Sequence, residues 1–360
     1  LEPGYPDAQL YAASDWLAAD QASGYPVLRR PAFRPHEASL MRRALREIGM
    51  SVALVASARG RTDVVLVSTP SMFLAPAAWL SARLRGARFV WDVRDLTWRY
   101  ARESVATGAG QRLLLGWFEG TMLWLLRRTD LVVAATAGLG DVLRRQGVPA
   151  ERIVMVPNGV SRAFLDLFAA DAPAPRAARP RVTYVGLMGY NHGIGILLDV
   201  ARRLPGVDFV LVGDGPERPA IEARLREHGP ANVRLPGYVT EQAALAAHYM
   251  ASDVLVNHTR DAPILNDIVF PAKTFEYFAT RRPVVHAGRG WAADLLRERD
   301  VAVVVPPGDA DALARGIERV LADPGGARER CERARRLVER EYCREPLVEG
   351  LATELARRFG

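Results

Sequence analysis

The sequence predicts an α/β protein made of two Rossmann-like, parallel-sheet domains in tandem. Three observations carry this. Short apolar strands alternate with helical patterns from residue 63 to 156, and the alternation restarts at 181, the pattern of parallel, doubly wound sheets. A Pro/Ala-rich stretch, DAPAPRAARP at 171–180, separates the two runs and reads as a linker. The chain has 360 residues, 49% hydrophobic and 25% charged, which suits two globular cores rather than one.

Taken in order, residues 1–36 read as a loop-rich lead-in, with prolines at 3, 6, 26, 31 and 35 among Tyr5, Tyr11, Trp16 and Tyr25. Residues 36–58 read as a helix with an amphipathic front half. Strands follow at 63–68, 88–91, 130–134 and 153–156, separated by helices at 75–84, 110–128 and 137–147, the last ended by a glycine. PNGV at 157–160 makes a sharp turn. Beyond the linker, strands fall at 181–185, 208–212, 233–235, 253–257, 283–286 and 301–305, and helices at 309–321, 327–341 and 346–358 close the chain. The expected division is a first domain over 1–165, a second over 166–340, and a C-terminal helix over 341–360 that packs back toward the first. The first domain shows fewer strands than the second and is expected to lack an opening β-α-β unit, which would leave an exposed sheet edge.

Net charge is +7. The cations come as arginine pairs near predicted helix ends, such as Arg127/Arg128 and Arg281/Arg282, and no segment interleaves basic with aromatic residues. These are solvated helix faces rather than a nucleic-acid stripe. They are compatible with attraction to an anionic membrane or a phosphorylated substrate. Cys331 and Cys343 fit neither a zinc spacing nor a disulfide framework, so a reducing, cytoplasmic setting is the default. No apolar run reaches the ~18 residues of a membrane span. The nearest, residues 113–126, is interrupted by Glu119 and closed by Arg127 and Arg128; it reads as a buried helix or as a face lying on a membrane surface.

The stretch 260–285, RDAPILNDIVFPAKTFEYFATRRPVV, holds the main chemical candidates. After a strand and a long loop, Pro271 opens a short helix, where its missing N–H is not needed. Phe275, Phe278 and Ala279 form an apolar face, and Lys273, Glu276, Tyr277 and Thr280 a polar one. Lys273 is the one lysine in a chain with 48 Lys plus Arg. A lysine is a compact point charge suited to phosphate; the alternative is an exposed i,i+3 pair with Glu276.

GLMGYNHGIG at 186–195 follows a strand and precedes a helix. Its glycines, Gly186, Gly189 and Gly193 among them, would let backbone approach a phosphate, or would simply form a tight turn. His192 could donate to a diphosphate or cap the helix. GDGP at 213–216 reads as a structural turn. Asp92, Arg94 and Asp95 end another strand; they could place and deprotonate an acceptor hydroxyl, or form a salt-bridged loop. Ser68 begins STPS, a helix cap or an acceptor contact. Serine-hydrolase, zinc-protease and P-loop patterns are absent.

In combination these motifs resemble the retaining glycosyltransferases of family 4, over roughly residues 63–321. VPNGV at 156–160, VGDGPER at 212–218 and FPAKTFEYFATRRPVV at 270–285 carry the resemblance. It implies the GT-B fold, two Rossmann-like domains facing across a cleft. It implies that Glu276, as the second glutamate of an E-x7-E motif, holds the donor ribose. The first glutamate falls at Ile268, so neighbouring Asp267 is the candidate substitute. The arginine and lysine that grip the diphosphate in many members correspond to Leu187 and His192. Within the branch resembling O-antigen and capsule sugar transferases, Arg260 and Lys273 match typical cations, so the diphosphate is assigned to Arg260, Lys273 and the Gly186–Gly193 loop.

The implied reaction is metal-independent transfer of a hexosyl or N-acetylhexosaminyl group, with retention, from a nucleotide-sugar, UDP preferred over GDP, to a lipid-linked or polysaccharide acceptor. Asp95 would orient the acceptor hydroxyl with Lys273 and Glu276 as its catalytic companions, and Ser68 and Asp92 would stand beside it on the acceptor side. No cofactor is expected; the nucleotide-sugar is substrate. No nucleic-acid partner is expected, and peripheral contact with the inner membrane surface is compatible with the charge. Two alternatives stay open: a nucleotide-sugar epimerase of the same fold, and a truncated, inactive nucleotide-binding homologue, which Ile268 and the absent opening unit would favour.

Overall fold

A computed structural model of the chain describes residues 21, 24, 27, 40–57, 61–69, 73–99, 108–169 and 178–360. Most of the lead-in, where the opening unit is expected to be missing, lies outside the described residues, as do Ser71 of STPS and residues 171–177 of the linker. The chain divides into two compact units. The first holds the described residues up to Ala135, with Leu143–Met155 and Glu354–Gly360; the second holds Thr136–Val142 and Val156–Thr353.

In the first unit β1 (Val64–Thr69), β2 (Arg88–Val93), β3 (Leu131–Ala134) and β4 (Ile153–Met155) form a parallel sheet in that order. β2 and β3 are central, and Phe89, Val90, Trp91, Leu131, Val132 and Val133 are fully buried, which is why these strands read as unbroken apolar runs. Asp130 ties their starts together, accepting from the Phe89 amide at 2.9 Å and pairing with Arg88 at 3.3 Å. Helices Leu40–Ser57, Leu74–Leu84 and Ala109–Arg128 accompany the sheet. The buried-helix reading of 113–126 needs correction. Met122, Leu125 and Leu126 are buried, but Leu113, Leu114 and Trp117 are 78%, 65% and 71% exposed. Among the described residues no helix is long and apolar enough to cross a membrane.

The second unit carries six parallel strands: β5 (Arg181–Val185), β6 (Asp208–Val212), β7 (Val233–Gly237), β8 (Val254–His258), β9 (Val284–Ala287) and β10 (Val303–Val305). Their order in the sheet is β10-β9-β8-β5-β6-β7. Strands β5 to β7 run outward in one direction and β8 to β10 in the other, so the topological switch point lies between β5 and β8. In open α/β sheets ligands bind at the carboxyl ends of the strands at that point. Both sheet faces are covered: one core contains Tyr184, Leu198, Phe209 and Val254, the other Val185, Leu255, Phe275 and Phe278.

Two short helices, Arg162–Asp166 and Pro263–Ile268, stand where a turn and a long loop are expected. At five or six residues they are too short to show a period. The helix expected from Pro271 runs Lys273–Ala279, with the Pro271 carbonyl taking the Thr274 amide at 2.9 Å. Its expected polar face is not a solvent face: Tyr277 and Thr280 are buried, as is Thr274 beside them. The Tyr277 hydroxyl accepts from the Val185 amide and donates to the Val185 carbonyl, each at 2.9 Å. Asn257 on β8 donates to Thr274 Oγ1 at 2.9 Å. These three bonds bolt the helix across the ends of β5 and β8. At its other end, buried Arg335 donates to the Ala279 carbonyl at 2.6 Å and to the Leu165 carbonyl at 3.1 Å, satisfying a helix C-terminus with a cation.

The glycine of PNGV has a packing reason. A Cβ on Gly159 would sit 2.2 Å from the Tyr342 carbonyl. Val160 instead forms a parallel bridge to Cys343, with Val160 N–H to Tyr342 O at 3.0 Å and Arg344 N–H to Val160 O at 2.9 Å. The Glu345 carboxylate then accepts the Arg162 amide. Cys331 and Cys343 are buried, and the Cys343 thiol donates to the Glu345 carboxylate at 3.2 Å.

Candidate active site

β5 delivers the chain to Gly186 at the switch point. Gly186 has φ 145°, and a Cβ there would lie 2.9 Å from both Cε and Nζ of Lys273. Only glycine leaves the lysine room to cross the strand end. The loop is held by its neighbours: Gly186 N–H donates to Val212 O at 3.0 Å, Met188 N–H to Asp214 O at 2.7 Å, and Glu217 N–H to Met188 O at 2.9 Å. GDGP is therefore a buttress for the first loop. The His192 amide closes a turn onto the Gly189 carbonyl at 2.9 Å. Gly193, at φ 55°, lies so close under Arg260 that a Cβ would meet its Nε at 2.8 Å.

Lys273 reaches the switch point from the helix and donates to the Tyr184 hydroxyl at 2.5 Å, its Nζ 4.4 Å from the centroid of that ring. Burial pulls the ammonium down to about 7, while Glu276 pulls it back up. Glu276 accepts from the Tyr249 hydroxyl at 2.9 Å. Burial raises its carboxyl, opposed by Tyr249, Lys273 and Arg344. Each residue of the pair thus takes a tyrosine rather than the other as hydrogen-bond partner, and the exposed i,i+3 reading is set aside. Arg260 is half exposed; it pairs with the Glu217 carboxylate, and its amide donates to the Asn191 carbonyl at 2.9 Å.

His192 is half-buried and its Nδ1 is buried with no hydrogen-bond partner. Burial, then the charge of Lys273, pushes its pKa down to about 3, so it meets a ligand as a neutral imidazole. The structure therefore brings Gly186, Gly189, His192, Gly193, Arg260, Lys273 and Glu276 together around the β5 and β8 ends. Asp267 belongs to the Pro263–Ile268 helix, with its backbone carbonyl 2.0 Å from where a Cβ on Gly138 would stand. Ile268 is buried, and its carbonyl accepts from Thr136 Oγ1 at 2.8 Å.

Sequence reasoning missed His258 and the tyrosines Tyr184 and Tyr249. The Nδ1–H of His258 donates to the His192 carbonyl, and its Nε2 accepts from the Gly308 amide at 3.1 Å. Those two bonds fix one neutral tautomer. Burial, and then the charge of Arg260, hold its pKa down against the bond to His192. Its only signal in sequence is its place at the end of a strand.

In the first unit Ser68 and Asp92 are register partners on β1 and β2. Ser68 is exposed, whereas Asp92 is buried and accepts from Arg94 Nε at 2.8 Å. Between the two readings of this loop, the ion pair is present. Asp95 is solvent-accessible, yet enough protein surrounds its carboxyl to raise the pKa. Leu96 and Trp98, both buried, anchor the loop behind it, and Trp98 packs 5.6 Å from Trp91. Among the described residues no group of three or more His, Cys, Asp or Glu could hold a metal ion.

Comparison with known proteins agrees with this architecture. Residues 179–323 match the family model described as glycosyl transferases group 1, and residues 5–159 match the glycosyl transferase 4-like domain. The chain is 28% identical over 241 residues to the lipopolysaccharide core biosynthesis glycosyltransferase LpsE of Rhizobium meliloti, covering 66% of this chain and 67% of that protein. It is 26% identical over 366 residues to WcaI of Escherichia coli, whose name assigns it to colanic acid biosynthesis as a glycosyl transferase, covering 94% and 87% of the two chains. Among solved structures, sucrose-phosphate synthase from Thermosynechococcus elongatus superposes with TM-score 0.70 at 22% identity over 91% of this chain and 81% of that one. Anabaena HepE, solved with UDP, superposes at 0.64 and 16% identity over 86% and 82%. At these identities the superpositions show the fold. With one family model on each domain, the chain belongs to the family 4 glycosyltransferases of the GT-B fold.

Proposed function

We propose that this glycosyltransferase moves a hexosyl or N-acetylhexosaminyl group, with retention and without a metal, from a UDP-sugar to a lipid-linked or polysaccharide acceptor of a bacterial surface glycan. The observation that carries the reading is the convergence of Lys273, the Gly186–Gly193 loop and Arg260 at the switch point between β5 and β8. As the glycosidic bond breaks, negative charge builds on the departing diphosphate. A cation and backbone amides fixed beforehand at that place lower the barrier. Glu276, held by Tyr249, would accept the ribose hydroxyls, and His192 would offer a neutral contact to the phosphate. Asp95 would orient the acceptor hydroxyl, with Ser68 beside it. Asp92, engaged by Arg94, would shape that loop. Names of relatives in lipopolysaccharide and colanic acid assembly support a surface glycan, and HepE, solved with UDP, supports a uridine nucleotide. Exposed Leu113, Leu114 and Trp117, on the helix that ends in Arg127 and Arg128, support a peripheral membrane contact on the cytoplasmic side.

Calorimetric titration with UDP and GDP, beside Glu276→Ala, tests the donor site. The expected result is tighter binding of UDP, lost in the variant. Unchanged binding in Glu276→Ala would remove Glu276 from the site. Turnover of a UDP-sugar with no acceptor present would favour an epimerase.

A further inference from the structure

Lys273, the one lysine of the chain, holds its cation in an unusual setting. Arginines of the second unit such as Arg260 and Arg335 pair with carboxylates or backbone carbonyls, Arg260 with Glu217 and Arg335 with Glu339 and Ala279. Among the described residues Lys273 has one hydrogen-bond partner, the Tyr184 hydroxyl, and a tyrosine ring beneath it. Its flank is closed by the backbone of Gly186. An ammonium carries three donors, and this position satisfies one of them. The ionisable groups around it are few. Tyr184 faces it from β5 and Glu276 from its own helix, already bonded to Tyr249; His192 faces it from the loop. Glu217 acts on Tyr184 from beyond β6 while bound to Arg260. No carboxylate is hydrogen-bonded to the amine.

We propose that Lys273 takes up a proton when the diphosphate of the nucleotide-sugar arrives, so that donor binding is proton-coupled. This rests on the donor site proposed above. The amine without a phosphate beside it is poorly compensated and titrates near neutrality, at about 7. A diphosphate brings two negative charges and several acceptors to the same place and restores the ammonium. Linkage then fixes the direction: a ligand that raises a pKa binds more weakly as pH rises past the unliganded value. Uptake should be about 0.1 proton per ligand at pH 6, about 0.5 at pH 7 and about 0.9 at pH 8, with affinity falling toward tenfold per unit above pH 7. Arginine at the same position would stay charged throughout and take up none.

The test is calorimetry of the full chain with UDP-glucose in two buffers of different ionisation heat at pH 6, 7 and 8. UDP-glucose is chosen because its diphosphate is a diester and does not itself titrate in this range. The expected result is the rising uptake above in the wild type and zero in Lys273→Arg. Binding with no uptake at any pH overturns the proposal and leaves the donor site standing, as does uptake that persists in Lys273→Arg and so belongs to His192. No binding at any pH removes the donor site itself. A second measurement needs no ligand. Growth on 13C,15N-lysine labels one side chain in the protein, and its Cε shift should titrate with a midpoint near 7; a midpoint near 10.5 overturns the proposal whether or not UDP-glucose binds.

Discussion

Replacing Lys273 with methionine should stabilise the protein while weakening its binding of a nucleotide diphosphate. Methionine keeps the length of the side chain and much of its volume, so the change isolates the amine. The folded chain holds this ammonium at about 7 instead of the ordinary 10.5, chiefly through burial. Between those two values the unfolded chain binds more protons at this residue than the folded one. Wild-type stability therefore rises with pH across the window, and the destabilisation is complete below pH 7. At about 1.4 kcal/mol per unit, the shift corresponds to roughly 4–5 kcal/mol at pH 6 and roughly 2 kcal/mol at pH 9. Loss of the bond to Tyr184 takes back about 1 kcal/mol at either pH. Lys273→Met should thus exceed the wild type by roughly 3–4 kcal/mol at pH 6 and by about 1 kcal/mol at pH 9. Urea unfolding at the two pH values reads both numbers, because titrations shared by the two proteins cancel. Parallel curves, with the same difference at pH 6 and pH 9, would refute a buried, half-neutral amine. A variant less stable than wild type at pH 6 would mean that the ammonium is compensated by groups other than Tyr184.

Other residues give sharp expectations. Gly186→Ala places a methyl 2.9 Å from the lysine end at φ 145°; thermal unfolding should show a loss of about 1–2 kcal/mol, and calorimetry a weakened UDP-sugar. His258→Leu strands the His192 carbonyl and the Gly308 amide and should destabilise by about 2–4 kcal/mol. His258→Asn, which keeps a donor near the Nδ1 position, should recover part of that in urea unfolding, and equal losses in both variants would deny the bond to His192. Burial holds His192 and His286 down to about 3, so the unfolded chain binds protons first as pH falls below about 6.5. Stability should drop between pH 7.5 and 5 by roughly 2 kcal/mol for each histidine, and His286→Asn should flatten the curve.

The alternation of strands and helices was legible because central parallel strands are buried on both faces and read as continuous apolar runs. The order of those strands was not. Nothing local says that β8 lies beside β5, and that adjacency is what carries Arg260 and His258 to the Gly186 loop. Lys273 and Glu276 stood out by rarity and spacing. Their neighbours Tyr277 and Thr280 misled, because a helical wheel counts a hydroxyl as solvent-seeking, whereas here the tyrosine oxygen substitutes for a missing partner of the Val185 backbone. Asp92 and Asp95 were equivalent in sequence; the Arg94 guanidinium distinguishes them. The partners of the two charged residues, Tyr184 and Tyr249, are strand and helix residues that composition alone assigns to the core.

The bridge between Val160 and Cys343 also has a mechanical meaning. Residues far apart in the chain are stitched backbone to backbone, flanked by the Gly159–Tyr342 approach and the Glu345 cap on Arg162. The stretch that precedes the six-stranded sheet and the one that follows it are therefore fastened to each other outside the sheet. A pull applied along one of them meets the backbone hydrogen bonds of that clasp. Cutting the chain after Glu341 would remove the clasp's far half and leave Val160 without its backbone partners Tyr342 and Arg344.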